Sequence, residues 1–335
     1  MFKPKMSSSE LGALWTTYHK KTMILQFLEH FIQTSDNQKA RNLMSGLGEK
    51  LHVKVQEMKT MIENEGAAVP LGFTSEDVNL NAPRLYGNGF DIMFSRILKE
   101  ISMGMYSLHV TMSYRKDIIQ LYKELTDLTH TYYNHFTQYL IEEDLLPHPT
   151  YINMPKSGDF VTDKKYTKGS SLLGDKRPLN TVEFGLLYHG METNITGMQL
   201  MTGFAQCAKD KEVKNYFIKG RELSKEIINE TEQILLQSDI QPPATPGGTI
   251  TSSQESPFSE RLMMYCTYLL CNFSIGGSGF GTGFSLRKDL NTKFMIFGKN
   301  TYEYLREGVS IMISNGWLEE PPKMDVNSLN KNNNQ

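Results

Sequence analysis

Ser7-Ser-Ser-Glu-Leu-Gly-Ala-Leu14 and Asn180-Thr-Val-Glu-Phe-Gly-Leu-Leu187 are one pattern written twice, 173 positions apart. Each begins with a short polar residue followed three places later by Glu. That is the capping box, in which an N-cap side chain and the N3 carboxylate satisfy each other's free backbone amides at a helix start. Beyond it Gly12 matches Gly185, Leu14 matches Leu187, Phe31 matches Phe204 and Pro70 matches Pro243, without a gap. After one deletion the offset becomes 172: Ser113-Tyr-Arg-Lys-Asp117 lies over Ser285-Leu-Arg-Lys-Asp289, Leu146 over Leu318 and Pro149 over Pro321. Matches in this order over most of the chain mark an internal duplication.

Within the first copy, apolar residues recur at three and four over about 8–33, 36–65, 88–113 and 116–145, the period of one helical face. Ala40, Leu43, Met44, Leu47, Leu51, Val55, Met58 and Ile62 form the stripe of the second segment. Ile118, Leu121, Tyr122, Leu125, Tyr132, Phe136 and Leu140 form that of the fourth. No segment alternates as a strand. Gly66 is expected to close the second helix. Ser113 and Asp117 are expected to bracket the start of the fourth, as a cap and as a charge at the positive end of its dipole.

Few residues join the first helix to the second or the third to the fourth, so each pair must be an antiparallel hairpin. Residues 66–88 between the hairpins can span a helix of about 40 Å at roughly 3.3 Å per extended residue. Two hairpins joined by one long crossover is the connectivity of ferritin-like bundles. The expected fold is therefore all-α, a tandem duplication of a ferritin-like four-helix bundle. Its parts are a first bundle over 1–146, a linker rich in Pro, Gly, Lys and Ser over 147–179, a second bundle over 180–322 and a disordered tail over 323–335.

The segments GFTSEDVNLNAPRLY (72–86), GDKRPLN (174–180), SPFSERLMM (256–264) and NGWLEEPPK (315–323) resemble the signature segments of an uncharacterised family of Bacillus-type spore formers, some of them labelled as candidate spore coat proteins. The resemblance runs from about Ser7 to Pro322. It implies a duplicated ferritin-like fold and an association with sporulation. It implies no activity and no catalytic residue.

Charged residues make up 21% of the 335 and the formal net charge is -2, so no basic field is present to gather nucleic acid. Cys207, Cys266 and Cys271 are odd in number and form no CxxC pair, which fits buried thiols in a reducing, cytoplasmic setting. The N-terminus has no apolar run of signal-peptide length.

A ferritin-like fold demands a test for a di-metal site, which needs inward carboxylates and Glu-x-x-His pairs. Glu49 with His52 and Asp127 with His130 are the candidates, with His19 and Glu100 near the middles of the other two helices. At 100° per residue, Glu49 and Asp127 point about 170° from their apolar stripes, His52 about 110° and His130 about 130°. These acidic and imidazole groups are expected to look outward. In the second copy Lys225 and Tyr302 replace the two histidines. The sequence thus assigns no catalytic, cofactor-binding or metal-ligating residue.

Three further features invite a function. The run Ile275-Gly-Gly-Ser-Gly-Phe-Gly-Thr-Gly-Phe284 looks like a phosphate loop, but no strand precedes it and its counterpart, Ser102–Met112, is helical. It reads as a weak helix whose glycines let a neighbour approach closely. Leu262 to Leu286 is long enough to span a bilayer, yet its polar residues and its charged counterpart favour a buried helix or a contact between the bundles. Tyr122, Tyr132, Tyr133, Phe136 and Tyr139 are expected to pack a core, with nearby His or Arg serving the hydroxyls. The 19 methionines suit adaptable packing.

The leading functional expectation is a non-enzymatic structural or interaction protein, spore-associated by resemblance, with a protein partner or self-association. The alternatives are a ferritin-like metal-binding protein or oxidoreductase, and a small-molecule binding module.

Overall fold

The computed structural model describes residues 4–87, 89–169, 177–243 and 249–324. Eight α-helices lie among them: α1 (Ser8–Thr34), α2 (Gln38–Glu63), α3 (Phe90–Thr111), α4 (Lys116–Glu142), α5 (Thr181–Cys207), α6 (Lys211–Leu236), α7 (Glu260–Phe284) and α8 (Lys288–Ser314). The duplication is visible in their bounds, since α5 begins 173 residues after α1 and α8 172 residues after α4, each pair with equal lengths of 27. The described residues hold no strand, only two isolated bridges, Val78 with Phe258 and Tyr86 with Ile250.

Both capping boxes form. Ser7 and Glu10 close the start of α1, and Asn180 and Glu183 that of α5. Gly66 adopts φ of 72°, and its amide and that of Ala67 turn back onto Glu63 and Ile62, ending α2 as its sequence predicts. Ser113 does not cap α4. The N-cap position belongs to Arg115, whose side chain makes no capping bond, while the Ser113 hydroxyl donates to the carbonyl of His109. Asp117 instead holds the Arg115 guanidinium, joined there by Glu65. Arg287 and Asp289 repeat the pairing in the second copy.

Antiparallel hairpins α1–α2, α3–α4, α5–α6 and α7–α8 form two bundles. The bundles then pack on each other through α1 and α3 of the first and α5 and α7 of the second. Phe27 stacks on Phe204 at 6.4 Å between ring centroids, and the Tyr86 hydroxyl reaches the Leu200 carbonyl at 2.8 Å. One apolar core runs through both bundles, flanked by a separate smaller cluster in each.

The copies meet beside the end of α1 and the start of α7, where Phe27 and Phe31 lie 4.3 and 6.2 Å from Phe258. His19, in the first half of α1, meets Tyr265 near the start of α7 at 5.6 Å. Arg96, near the start of α3, meets Glu192 in the first half of α5. The α3–α4 and α7–α8 turns lie at the far ends of their own bundles, beside Glu10 and Glu183, and each forms a pole of the molecule.

This packing explains the burial pattern. Residues 17–28 of α1 and 90–102 of α3 are buried without a break, because each helix has its own bundle on one side and the other copy on the opposite side. The outer helices α2, α4, α6 and α8 show one buried face each, as a surface helix should.

The glycine-rich run is regular α-helix to Phe284. Only part of the expected close approach is present. A side chain at Gly281 would collide with the ring of Phe294 on α8, whereas Gly276, Gly277, Gly279 and Gly283 face open space. The half of α7 before Asn272 is largely buried, and the half after it is mostly exposed. Among the described residues no helix is long and apolar enough to cross a membrane.

Candidate functional site

Glu49, His52, Asp127 and His130 are all exposed, on the outer faces of α2 and α4, and the fold does not bring them together. Among the described residues no group of three or more His, Cys, Asp or Glu is placed to hold a metal ion. His19 and Glu100 depart from the outward expectation: they are 6% and 7% exposed. Both face the seam between the copies, a surface that a helical wheel drawn on one bundle cannot see.

At the seam, Glu100 lies 3.2 Å from His189 of α5 and its other oxygen 3.6 Å from Arg96. The Arg96 guanidinium is also 3.7 Å from Glu192, and it donates to the Tyr133 hydroxyl at 2.8 Å and to Thr137 at 3.1 Å. The hydrogen bond that His189 donates to Glu100 raises its pKa above the ordinary imidazole range, against the opposing effect of burial. Burial raises Glu192, only partly offset by Arg96. An open cleft of about 310 Å³ lies over this cluster, walled by Leu146, Pro147, His148, Phe184 and Tyr188. The charges answer one another across the copies, so the cluster works as a tie between α3 and α5. His189 and Glu192 could not be singled out from sequence, because nothing in it says which faces of the two copies meet.

A second tie is built by the crossover. Asp77 accepts from Ser259 at 2.7 Å and from Arg261 at 2.5 Å, both of the second copy. Glu319, beyond α8, accepts the amides of Leu71 and Gly72 and lies 3.1 Å from His19. Burial pushes His19 below its usual range, with Glu319 opposing.

The aromatic stripe of α4 packs as expected. Tyr122, Tyr132, Phe136 and Tyr139 are buried, and Tyr133 hands its hydroxyl to Arg96. The three cysteines are buried and unpaired, with burial holding Cys266 and Cys271 as thiols; Cys271 is pushed up to about 12.

The feature that sequence reading missed is a trio of amines. Lys20 and Lys21 of α1 and Lys99 of α3 are each 0% exposed, and among the described residues none forms an ion pair. Lys20 and Lys21 place their Nζ atoms 4.4 and 4.9 Å from the centroid of the Tyr106 ring. The Nζ atoms of Lys21 and Lys99 and the Tyr106 hydroxyl have no hydrogen-bond partner, and Lys20 reaches only the thioether of Met105 at 3.3 Å. Burial drives all three amines down, Lys99 to about 7, with Lys99 lowering the other two further. A desolvated cation–π contact returns about 2 kcal/mol, while burying an ammonium costs several. The ring alone does not stabilise three charges. One signal for Lys21 was available: it falls in the apolar stripe Leu14, Thr17, Ile24, Leu28 at helical spacing.

The architecture defines a class, a tandem pair of helical bundles fused into one chain. The chain belongs to the family described as Protein of unknown function (DUF3231), which matches it twice, over residues 2–157 and 167–329. No curated protein matches it. A solved structure similar to part of it is that of a candidate spore coat protein from Bacillus halodurans C-125, at 16% identity and a TM-score of 0.43. That likeness covers 44% of this chain and 97% of the other.

Proposed function

We propose that this chain is a non-enzymatic structural protein that works by association through its two poles. The observation that carries the reading is a recurrence. Leu108 and Phe280 hold matched positions in the two copies and are 59% and 63% exposed, and Tyr114 and Leu286 are matched and exposed likewise. Phe284 adds a second ring beside Phe280, at 6.1 Å, so the second pole carries an apolar cluster rather than scattered residues. Burying each such side chain on association gains roughly 1.5–3 kcal/mol. The carboxylates at these poles are committed to structure, Glu10 and Glu183 to turn amides and Asp117 and Asp289 to Arg115 and Arg287, which further supports a structural role over acid–base chemistry.

The setting we propose is the sporulating cell, on the resemblance of residues 72–86, 256–264 and 315–323 to the family's signature segments. Sedimentation velocity over a wide concentration range tests the association. Wild-type chain is expected to self-associate, and Phe280→Ser with Phe284→Ser, or Leu108→Ser with Tyr114→Ser, to weaken it. A wild type that stays monomeric throughout, together with unaltered spores in a deletion strain, overturns the proposal.

A further inference from the structure

We infer that Lys20, Lys21, Lys99 and Tyr106 form an internal binding site in the first bundle for a small tetrahedral oxyanion of the phosphate or sulfate class. The four side chains come from two adjacent helices and are fully buried; Lys20 and Lys21 lie over the Tyr106 ring, and Lys99 is near enough to both to depress them. Two of the amines and the phenol donate to nothing, and the third touches only a sulfur. Ser102 lies beside the Tyr106 hydroxyl but donates its own proton to the Leu98 carbonyl at 2.7 Å, and among the described residues no carboxylate is paired with the amines. Thr17 is bonded to His109 at 3.0 Å and to Tyr122 at 3.2 Å, and His109 is driven down to about 4 by burial and then by Lys20, so it stays neutral beside the amines.

Three amines call for more than one negative charge, which a monoanionic carboxylate does not carry and phosphate or sulfate does. Ammonium groups also bind phosphate as point charges without the planar fork of arginine. Tyr106 adds a fourth donor, its hydroxyl held protonated by burial.

The second copy shows that the repeat has no structural need of these residues. At the matched positions it has Thr193, Asn194, Cys271 and Ser278, and the helices there form equally. A cationic cluster kept in one copy and absent from the other points to a ligand of the first bundle. This inference stands apart from the association at the poles.

The test uses the full chain, purified with chloride as the only inorganic anion. Its thermal midpoint is measured against added phosphate, sulfate and acetate at constant ionic strength. Phosphate and sulfate should raise the midpoint saturably, acetate much less, and protein purified in phosphate should release about one phosphate per chain on denaturation. Lys99→Met and Lys20→Met should each weaken the phosphate response at least tenfold, and Lys225→Met, at an exposed position, should leave it intact. Should either core variant fail to fold, the wild-type titration and the phosphate count still decide. No rise beyond that of chloride, or equal responses in wild type and Lys99→Met, overturns the site. A response to acetate equal to that of phosphate overturns the tetrahedral class.

Discussion

The carboxylate of Glu10 accepts the backbone amide of Arg115, 105 residues further along the chain, at 2.7 Å. It takes the amide of Tyr114 at 2.8 Å with the same oxygen, while its other oxygen serves Ser7. Glu183 does the same for Leu286 and Arg287 at 3.0 Å. One side chain thus closes a capping box and pins the opposite turn of its bundle, once at each pole.

Replacing Glu10 or Glu183 by Gln removes the charge from these bonds and is expected to cost about 1–3 kcal/mol each in urea unfolding. The two sites are at different poles and share no partner, so the double variant should lose close to the sum. Burial would raise both carboxyls, but backbone amides around Glu10, and Arg177 with backbone amides around Glu183, outweigh it and lower them. Their contribution is present above about pH 4.5 and is lost as pH falls through the lower folded values. The acid limb of the stability curve should therefore flatten in the double variant. An unchanged acid limb would mean that the bonds add nothing.

Arg96→Met leaves Glu100 and Glu192 at the seam without their cation. A buried charge stripped of its partner costs on the order of 3 kcal/mol. The loss should show as earlier cleavage in limited proteolysis of 147–169 and as looser docking of α3 on α5 by hydrogen exchange.

The glycines of α7 should divide by what they face. Gly277→Ala and Gly279→Ala meet open space and are expected to stabilise by up to about 1 kcal/mol each. Gly281→Ala meets Phe294 and should destabilise by roughly 1–3 kcal/mol. Equal effects at the three positions, read by thermal unfolding, would contradict the orientation of this helix.

In buffers free of oxyanions the amine trio fixes a second pH dependence. Lys99 falls from 10.5 to about 7 on folding, so between those values the unfolded chain binds more protons. Stability should climb from pH 7 towards 10, and Lys99→Met should remove much of that climb. A wild type whose stability is flat over this range would show that the amine stays charged.

Most of the fold is legible in the residues. Ser7 with Glu10, Asn180 with Glu183, and Gly66 announce helix ends through local chemistry, and local chemistry survives any tertiary setting. The stripes of α2 and α4 are equally plain, because those helices bury one face only. α1 and α3 resist the same reading. They are covered on two sides, so no polar face marks an outside, and Lys20, Lys99, His19 and Glu100 look like surface residues until the second copy is set against them. The SxRKD turn was located but its chemistry was not. The spacing suggested Ser113 as a cap, while the decisive bonds to this turn come from Glu10, a hundred residues away.

Two separate chains related by a two-fold axis must accept every substitution twice, once on each side. Here the partners share a single reading frame, and the axis survives only in the backbone. Thr193, Asn194 and Cys271 in one half opposite Lys20, Lys21 and Lys99 in the other are what that freedom permits. One half of a fused pair can acquire an unusual interior while its twin keeps a neutral one.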